Sequence, residues 1–265
     1  MDTSKLAKRL QRIQERQGGS GKNIWFKSSE EKQKIRLVPY PHETDGSPFM
    51  EIYFHYNVAG QKSLVCPKMT HGEPCPICEL AEEFRSMGTK DGWRMYKKYA
   101  AKLRTYSPVV VRGEDEPTVK LWGYGVTIYE SLVEKFLDED WGDLSDVKEG
   151  HDLTVWSIPA KSAGNDSDYV KPKLDVTPKA SPLLPSKAAI TKLLEEIPDY
   201  LNDGETFPVK SYQELQELVR KLSDAEDDDF SEEETSYSAS KSTADDDDDD
   251  SSSKLKSKLD DLLGD

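Results

Sequence analysis

The chain is predicted to be mainly β with α insertions: an OB-type barrel core with a small metal-organised subdomain, a flexible basic N-terminal arm and a disordered acidic C-terminal tail. Three observations predict this. Short β-rich runs recur at irregular spacing with few helices between them, as in a small barrel that carries insertions. All three cysteines fall within Cys66-Pro-Lys-Met-Thr-His71-Gly-Glu-Pro-Cys75-Pro-Ile-Cys78, a cluster too tight for a disulfide framework and suited to a metal. The net charge of −15 is also uneven: residues 224–265 hold 17 acids and 4 lysines, whereas the first 223 residues hold 34 acids and 32 bases. The organisation expected is an arm over 1–21, a core over 22–222 with its zinc subdomain at about 55–90, and a tail over 223–265.

Residues 2–17 read as a short amphipathic helix. Leu6, Leu10 and Ile13 fall at i, i+4 and i+7, and Lys5, Lys8, Arg9, Arg12 and Arg16 crowd the rest of its surface. Gly18-Gly-Ser-Gly21 ends it and gives a flexible joint. A helix this short is marginal alone in water, so it is read as an arm that gains order by docking. Ile35–Val38 and Met50–Val58 read as strands, with Pro39, Pro41, Gly46 and Pro48 turning the chain between them. After the cysteines, Glu79 to Arg85 and Trp93 to Arg104 read as helical, Pro108–Arg112 and Thr118–Tyr124 as strands, and Ile128 to Asp138 as a helix. Asp152–Ile158 and Tyr169–Val176 are further strands, separated by the polar stretch Lys161 to Asp168. Two helices follow, Lys187 to Ile197 and Tyr212 to Leu222, the second opened by a Ser211/Glu214 capping box.

The tail is a different material. Six consecutive aspartates, Asp245 to Asp250, repel one another and cannot bury a core. Beyond them Leu255, Leu259, Leu262 and Leu263 share one helical stripe, which reads as a docking peptide on a disordered tether. No apolar run is long enough to span a bilayer, and the polar, basic N-terminus lacks an apolar signal core. The protein is expected to stay in the reducing cytoplasm in which it is made.

Cys75-Pro-Ile-Cys78 presents two thiolates to one metal from a turn, and Cys66 supplies a third. The fourth ligand is open at this level: His71 makes a compact local loop, and His55 ties the loop to a strand. A thiol redox pair expects a βαβ context and leaves Cys66 idle. Three thiolates and an imidazole leave no open metal position for water, so the one Zn2+ is expected to be structural.

Directly after the cysteines come Phe84, Trp93, Tyr96, Tyr99, Tyr106, Trp122 and Tyr124, interleaved with Arg85, Lys90, Arg94, Lys97, Lys98, Lys102, Arg104, Arg112 and Lys120. Between Arg85 and Arg112 there are eight bases and one acid, Asp91. Cations grip phosphates and aromatic rings stack on bases, and a duplex hides its base faces, so the mixture points to single strands read with little sequence preference. About half of the seven aromatics are expected in the core, Trp122 first among them. The candidate contact set is Arg94, Tyr96, Lys97, Lys98, Tyr99, Lys102, Arg104, Tyr106, Arg112, Lys120 and Tyr124.

At this point the chain resembles the replicative single-stranded-DNA-binding (helix-destabilising) proteins of tailed phages with large genomes. The likeness lies in Trp25-Phe-Lys-Ser-Ser-Glu-Glu31 leading to Ile35-Arg-Leu-Val-Pro39, in Cys66, Thr70-His71-Gly72 and Cys75-Pro-Ile-Cys78, in Lys102-Leu-Arg-Thr-Tyr106 with Val109-Val-Val111, and in Asp260-Asp-Leu-Leu263 after an acidic, serine-rich tail. The resemblance implies an OB-fold core with a zinc subdomain whose ligands are His55, Cys66, Cys75 and Cys78. It implies an arm, here Lys5, Lys8, Arg9 and Arg12, for head-to-tail cooperativity on DNA. It also implies a tail that recruits replication and recombination proteins. The function expected is cooperative, non-enzymatic coating of single-stranded DNA during viral replication, recombination and repair in the infected host's cytoplasm. The competing reading is a zinc-stabilised interaction adaptor with no direct nucleic-acid contact. A zinc hydrolase is disfavoured for want of an open metal position and an acid–base pair.

Overall fold

The computed structural model describes residues 24–159 and 171–226. The arm, the acidic tail from residue 227 and the polar stretch before the last strand fall outside the described residues, and with them Lys5, Lys8, Arg9, Arg12, Leu255, Leu259, Leu262 and Leu263; residues 223–226, expected in the tail, continue the last helix. The described chain divides into two compact units: unit 1 has residues up to Met50 and Thr105–Asp199, and unit 2 has Glu51–Arg104 and the segment from Tyr200.

Unit 1 is built on strands β1 (Trp25–Phe26), β2 (Gln33–Leu37), the Thr105–Val111 part of β5 (Lys102–Val111), β6 (Val119–Tyr124), β7 (His151–Ile158) and β8 (Lys171–Ala180). Their order is β1-β6-β5-β2-β7-β8. The β1–β6 pair is parallel, and β6–β5, β5–β2, β2–β7 and β7–β8 are antiparallel. Among the described residues the path does not return on itself, so unit 1 shows a β-rich sheet without the closure a barrel requires. Strict alternation along β7 buries His151, Leu153, Val155 and Ser157 and turns Thr154 and Trp156 to the other face. The inner face meets Ile35, Leu37, Val109 and Trp122, and helix α4 (Val126–Leu137) covers them with Ile128 and Leu132. Helix α5 (Lys187–Glu195) opens on Ser186, whose hydroxyl accepts from the Ala189 amide.

Unit 2 begins with the hairpin of β3 (Met50–Val58) and β4 (Gln61–Val65), in which His55 opposes Leu64. The bend between them takes positive φ at Asn57, Ala59 and Gly60. Three helices follow: α1 (Pro67–His71), α2 (Pro76–Ser86) and α3 (Lys90–Tyr99). Each of the first two starts with proline directly after a cysteine, because proline fits the first helical turn and lets the cysteine take the cap position. Helix α3 approaches α2 closely at Gly92, where a Cβ would lie 2.4 Å from the Phe84 carbonyl oxygen. Helix α6 (Tyr212–Glu226) adds Leu215, Leu218 and Val219 to a core of Val58, Leu64, Ile77, Leu80, Phe84, Tyr99 and the three cysteines. Its capping box is present: Ser211 N and Oγ both donate to Glu214 Oε2, at 2.9 and 2.7 Å.

Two sequence readings need correction. The helix expected over Trp93 to Arg104 stops at Tyr99, where Ala100 turns extended. Lys102–Arg104 then open β5, six residues ahead of the strand expected from Pro108. The register Thr105↔Tyr124, Tyr106↔Gly123 and Ser107↔Trp122 explains it, since sheet pairing outweighs the helical propensity of Ala-Ala-Lys-Leu.

Candidate metal centre and nucleic-acid interface

The metal centre is assembled in unit 2 from a strand and two helix starts. Cys66 caps α1, its Sγ accepting from the Met69 amide at 3.3 Å, and Cys75 caps α2 with Cys78 one turn on. His55 reaches them from the middle of β3. All four are buried, and Nε2 of His55 and the three Sγ atoms lie within 4.8 Å of one another. His55 Nε2 stands 3.4 Å from Cys75 Sγ and 3.6 Å from Cys78 Sγ, and the Cys66 and Cys78 sulfurs are 3.4 Å apart. A tetrahedral zinc with the usual bond lengths needs about 3.8 Å between sulfurs and about 3.6 Å from nitrogen to sulfur. The spacing fits a metal and is far too long for a disulfide. The other imidazole nitrogen, Nδ1, is 2.7 Å from the Tyr99 carbonyl oxygen and donates to it, which leaves Nε2 free to ligate. His71 ends α1 exposed to solvent and lies outside the cluster.

Burial disfavours the charged form of His55, yet hydrogen bonds and charge from Cys66 and Cys75 outweigh it and raise the pKa to about 9. The Cys66 thiol is driven down by hydrogen bonds with Cys75 and Cys78, while Cys78 is driven up by hydrogen bonds with Cys66 and Cys75 and by burial. Three thiols in one dry pocket cannot all ionise beside a single imidazolium. These four residues could hold a divalent cation, whose charge would let the thiolates form together.

The candidate contact residues divide sharply. Tyr99 is buried in the unit 2 core, stacked on Phe84 at 5.9 Å, and gives its carbonyl to His55. Tyr124 is buried in unit 1, its hydroxyl 2.6 Å from Ser107 Oγ, with its pKa pushed well up by burial. Neither ring can stack on a base. Arg112 is half-buried and occupied: Nε and Nη2 donate to Asp152 Oδ1 at 2.9 and 2.8 Å, and Nη2 also donates to the Pro182 carbonyl. Lys120 pairs with Glu114. These four therefore serve the fold. Trp122 and Phe84 are buried as well, so four of the seven aromatics are core.

The residues that reach solvent gather on α3 and the start of β5. Arg94, Lys97, Lys98, Lys102 and Arg104 are exposed, and Tyr96 and Tyr106 are half-buried. Tyr106 meets the Trp25 ring edge-on at 5.8 Å. Trp93 was not in the candidate set, although its i, i+3 spacing to Tyr96 signals a shared helix face. It is 46% exposed and stacks on Tyr96 with centroids 5.1 Å apart. Arg85 lies over the Tyr96 ring at 5.3 Å and Lys97 over the Trp93 ring at 5.4 Å. Unit 2 thus carries a solvent-facing ring pair edged by cations.

One helix joins the two features. The last residue of α3 holds the histidine ligand, and its outer face carries the rings and the cations. Among the described residues no helix is long and apolar enough to cross a membrane. No curated protein matches the chain significantly. A protein-family model described as gp32 DNA binding protein like matches residues 29–223, most of the sequence. The chain belongs to this gp32-like family of phage single-stranded-DNA-binding proteins, which bind DNA and are not catalysts.

Proposed function

We propose that the protein coats single-stranded DNA cooperatively and with little sequence preference during viral DNA replication, recombination and repair in the infected cell. A structural zinc held by His55, Cys66, Cys75 and Cys78 braces the binding surface of unit 2. The observation that carries this reading is the exposed Trp93 stacked on half-buried Tyr96, with Arg94, Lys97 and Lys98 on the same helix that orients His55 and Arg85 reaching over from α2. Rings open to solvent offer stacking, and the flanking cations offer phosphate contacts. Lys102 and Arg104 extend the row of charge along β5. The basic arm supports head-to-tail association, and the acidic tail recruits replication and recombination proteins through its terminal leucines.

Titration with homopolymeric single strands at several salt concentrations tests the reading. Each phosphate neutralised contributes about −0.7 to the log–log salt slope for a single strand. Lys102→Ala and Arg104→Ala are each expected to make the slope shallower by roughly that amount. Unchanged slope and affinity in both variants would remove β5 from the contact surface.

The charge split motivates a further expectation. A tail with 17 acids and 4 lysines competes with DNA for basic surface. Truncation after Leu222 is expected to tighten single-strand binding at low salt. Equal affinity with and without the tail at low salt refutes the competition.

A further inference from the structure

In unit 1 a second feature has the same chemistry on a different scaffold. Trp156 sits on β7 between Val155 and Ser157, which are buried, so its ring is turned to the sheet face opposite the hydrophobic core. It is opposite Lys173 on β8, and Lys34 on β2 is opposite Thr154. Lys32, from the turn before β2, places its ammonium 4.5 Å from the centre of the Trp156 ring. Lys32 and Lys34 are exposed and Lys173 is half-buried. Among the described residues none of these three lysines makes an ion pair. The acids near them, Glu30, Glu31 and Asp175, are exposed, and Asp175 is opposite Thr154 rather than a lysine.

We propose that this outer face of β2, β7 and β8 is a second contact surface for single-stranded DNA, with Trp156 stacking on a base and Lys32, Lys34 and Lys173 holding phosphates. The proposal rests on the single-strand-binding reading for its ligand class and adds a surface to it. The core of unit 1 does not need the indole, because the apolar contacts lie on the other face. A lone cation over a partly exposed ring is easily displaced, and base stacking on the same ring is the stronger interaction. A displaced Lys32 remains within reach of the backbone phosphates of that base. An acidic peptide, including this chain's own tail, would match the lysines but has no use for the ring's flat face. The combination therefore favours a nucleic-acid strand.

The test uses the full-length, metal-loaded protein, poly(dT), and two variants, Trp156→Leu and the double variant Lys32→Glu/Lys173→Glu. Trp156→Leu is expected to weaken binding roughly tenfold and to abolish part of the tryptophan quenching seen with the wild type. The double variant is expected to make the salt slope shallower by about 1.4, two phosphates' worth. If Trp156→Leu lowers the melting temperature, the charge variant carries the test alone, since it leaves the ring in place. Wild-type affinity, slope and quenching in a folded variant overturn the proposal while leaving single-strand binding intact. Failure of the wild type itself to bind poly(dT) overturns the underlying reading instead. Unchanged DNA binding in the variants, together with a Trp156 emission shift when residues 223–265 are removed, assigns the face to the acidic tail and also overturns the proposal.

Discussion

Cys78→Ser is expected to release the metal and to melt the part of unit 2 that the cluster organises. Cys78 lies on the first turn of α2, and its sulfur is within 3.6 Å of both His55 Nε2 and Cys66 Sγ. The three short elements that meet there share a small core with α6 but are too short to persist without it. Helix α1 is five residues long, and α2 and α3 have eleven and ten, all below the length at which isolated helices persist in water. Zinc affinities in small domains correspond to ~10–16 kcal/mol and act as folding free energy, so loss of one of four ligands removes a large fraction of what these elements have. The expected readings are zinc near one equivalent in the wild type and near none in the variant. The variant should also lose amide protection across 66–99 and bind single strands more weakly, because the ring face of α3 loses its anchor. Acidification should mimic the substitution, since ligation displaces protons from the thiols and lower pH favours their return. A wild type with no bound metal, whose stability is indifferent to a chelator, would make the cysteines inert core thiols.

The contrast between the two candidate sites shows what was legible in the sequence. The metal ligands were readable as a set because cysteine spacing in a short loop is itself a geometric constraint. The fourth ligand was not fixed by spacing. His55 joins through the β3–β4 register, and β4, with Gln61, Lys62 and Ser63 exposed in its first half, gives a weak strand signal. The contact set was only partly legible, because composition counts rings and charges without saying which way they point. Tyr96 and Tyr99 are three residues apart on one helix, yet one lies at the edge of the core, partly open to solvent, and the other is buried within it. Arg112 looked like a phosphate ligand until Asp152 entered from a strand forty residues on. Trp156 carries no sequence signal of its own, because an alternating strand does not say which of its two faces is buried. The register shows that the core lies under its neighbours. The sheet order of unit 1, with β2 between β5 and β7, depends on such long-range pairings and was not accessible from local pattern.

Asp152→Ala is expected to produce the largest destabilisation of unit 1. Asp152 Oδ1 is shared by two guanidinium groups, Arg112 at 2.8 Å and Arg36 at 3.7 Å. Arg36 is fully buried, and its Nη2 donates to the carbonyls of Asp146 and Ser181 at 2.6 and 2.9 Å. Its Nε and Nη1 have no hydrogen-bond partner. Burial lowers its pKa to about 10, with Asp152 opposing the shift and Arg112 adding to it. At neutral pH the group is still charged, so the fold carries a buried cation whose ion-pair partner, Asp152, is shared with Arg112. Removing one partner of a buried pair costs about 3–5 kcal/mol, because the remaining charge stays desolvated. For a protein of this size that corresponds to a fall of about 10 °C in melting temperature. Glu114→Ala, which breaks the more accessible pair with Lys120, should cost less than about 1 kcal/mol. Arg36→Met placed in the Asp152→Ala background should recover part of the loss, since it removes the stranded charge and keeps most of the volume. A strictly additive double variant would mean that the two residues are not coupled. Packing predicts the same cluster to be intolerant of bulk. A Cβ at Gly150 would lie 2.5 Å from both Arg36 Nη2 and the Leu144 carbonyl oxygen, and 2.6 Å from that of Asp146. Two of those atoms are backbone and the third, Arg36 Nη2, is held by the Asp146 and Ser181 carbonyls, so Gly150→Ala should cost about 1–3 kcal/mol by pushing Arg36 off the carbonyls it serves.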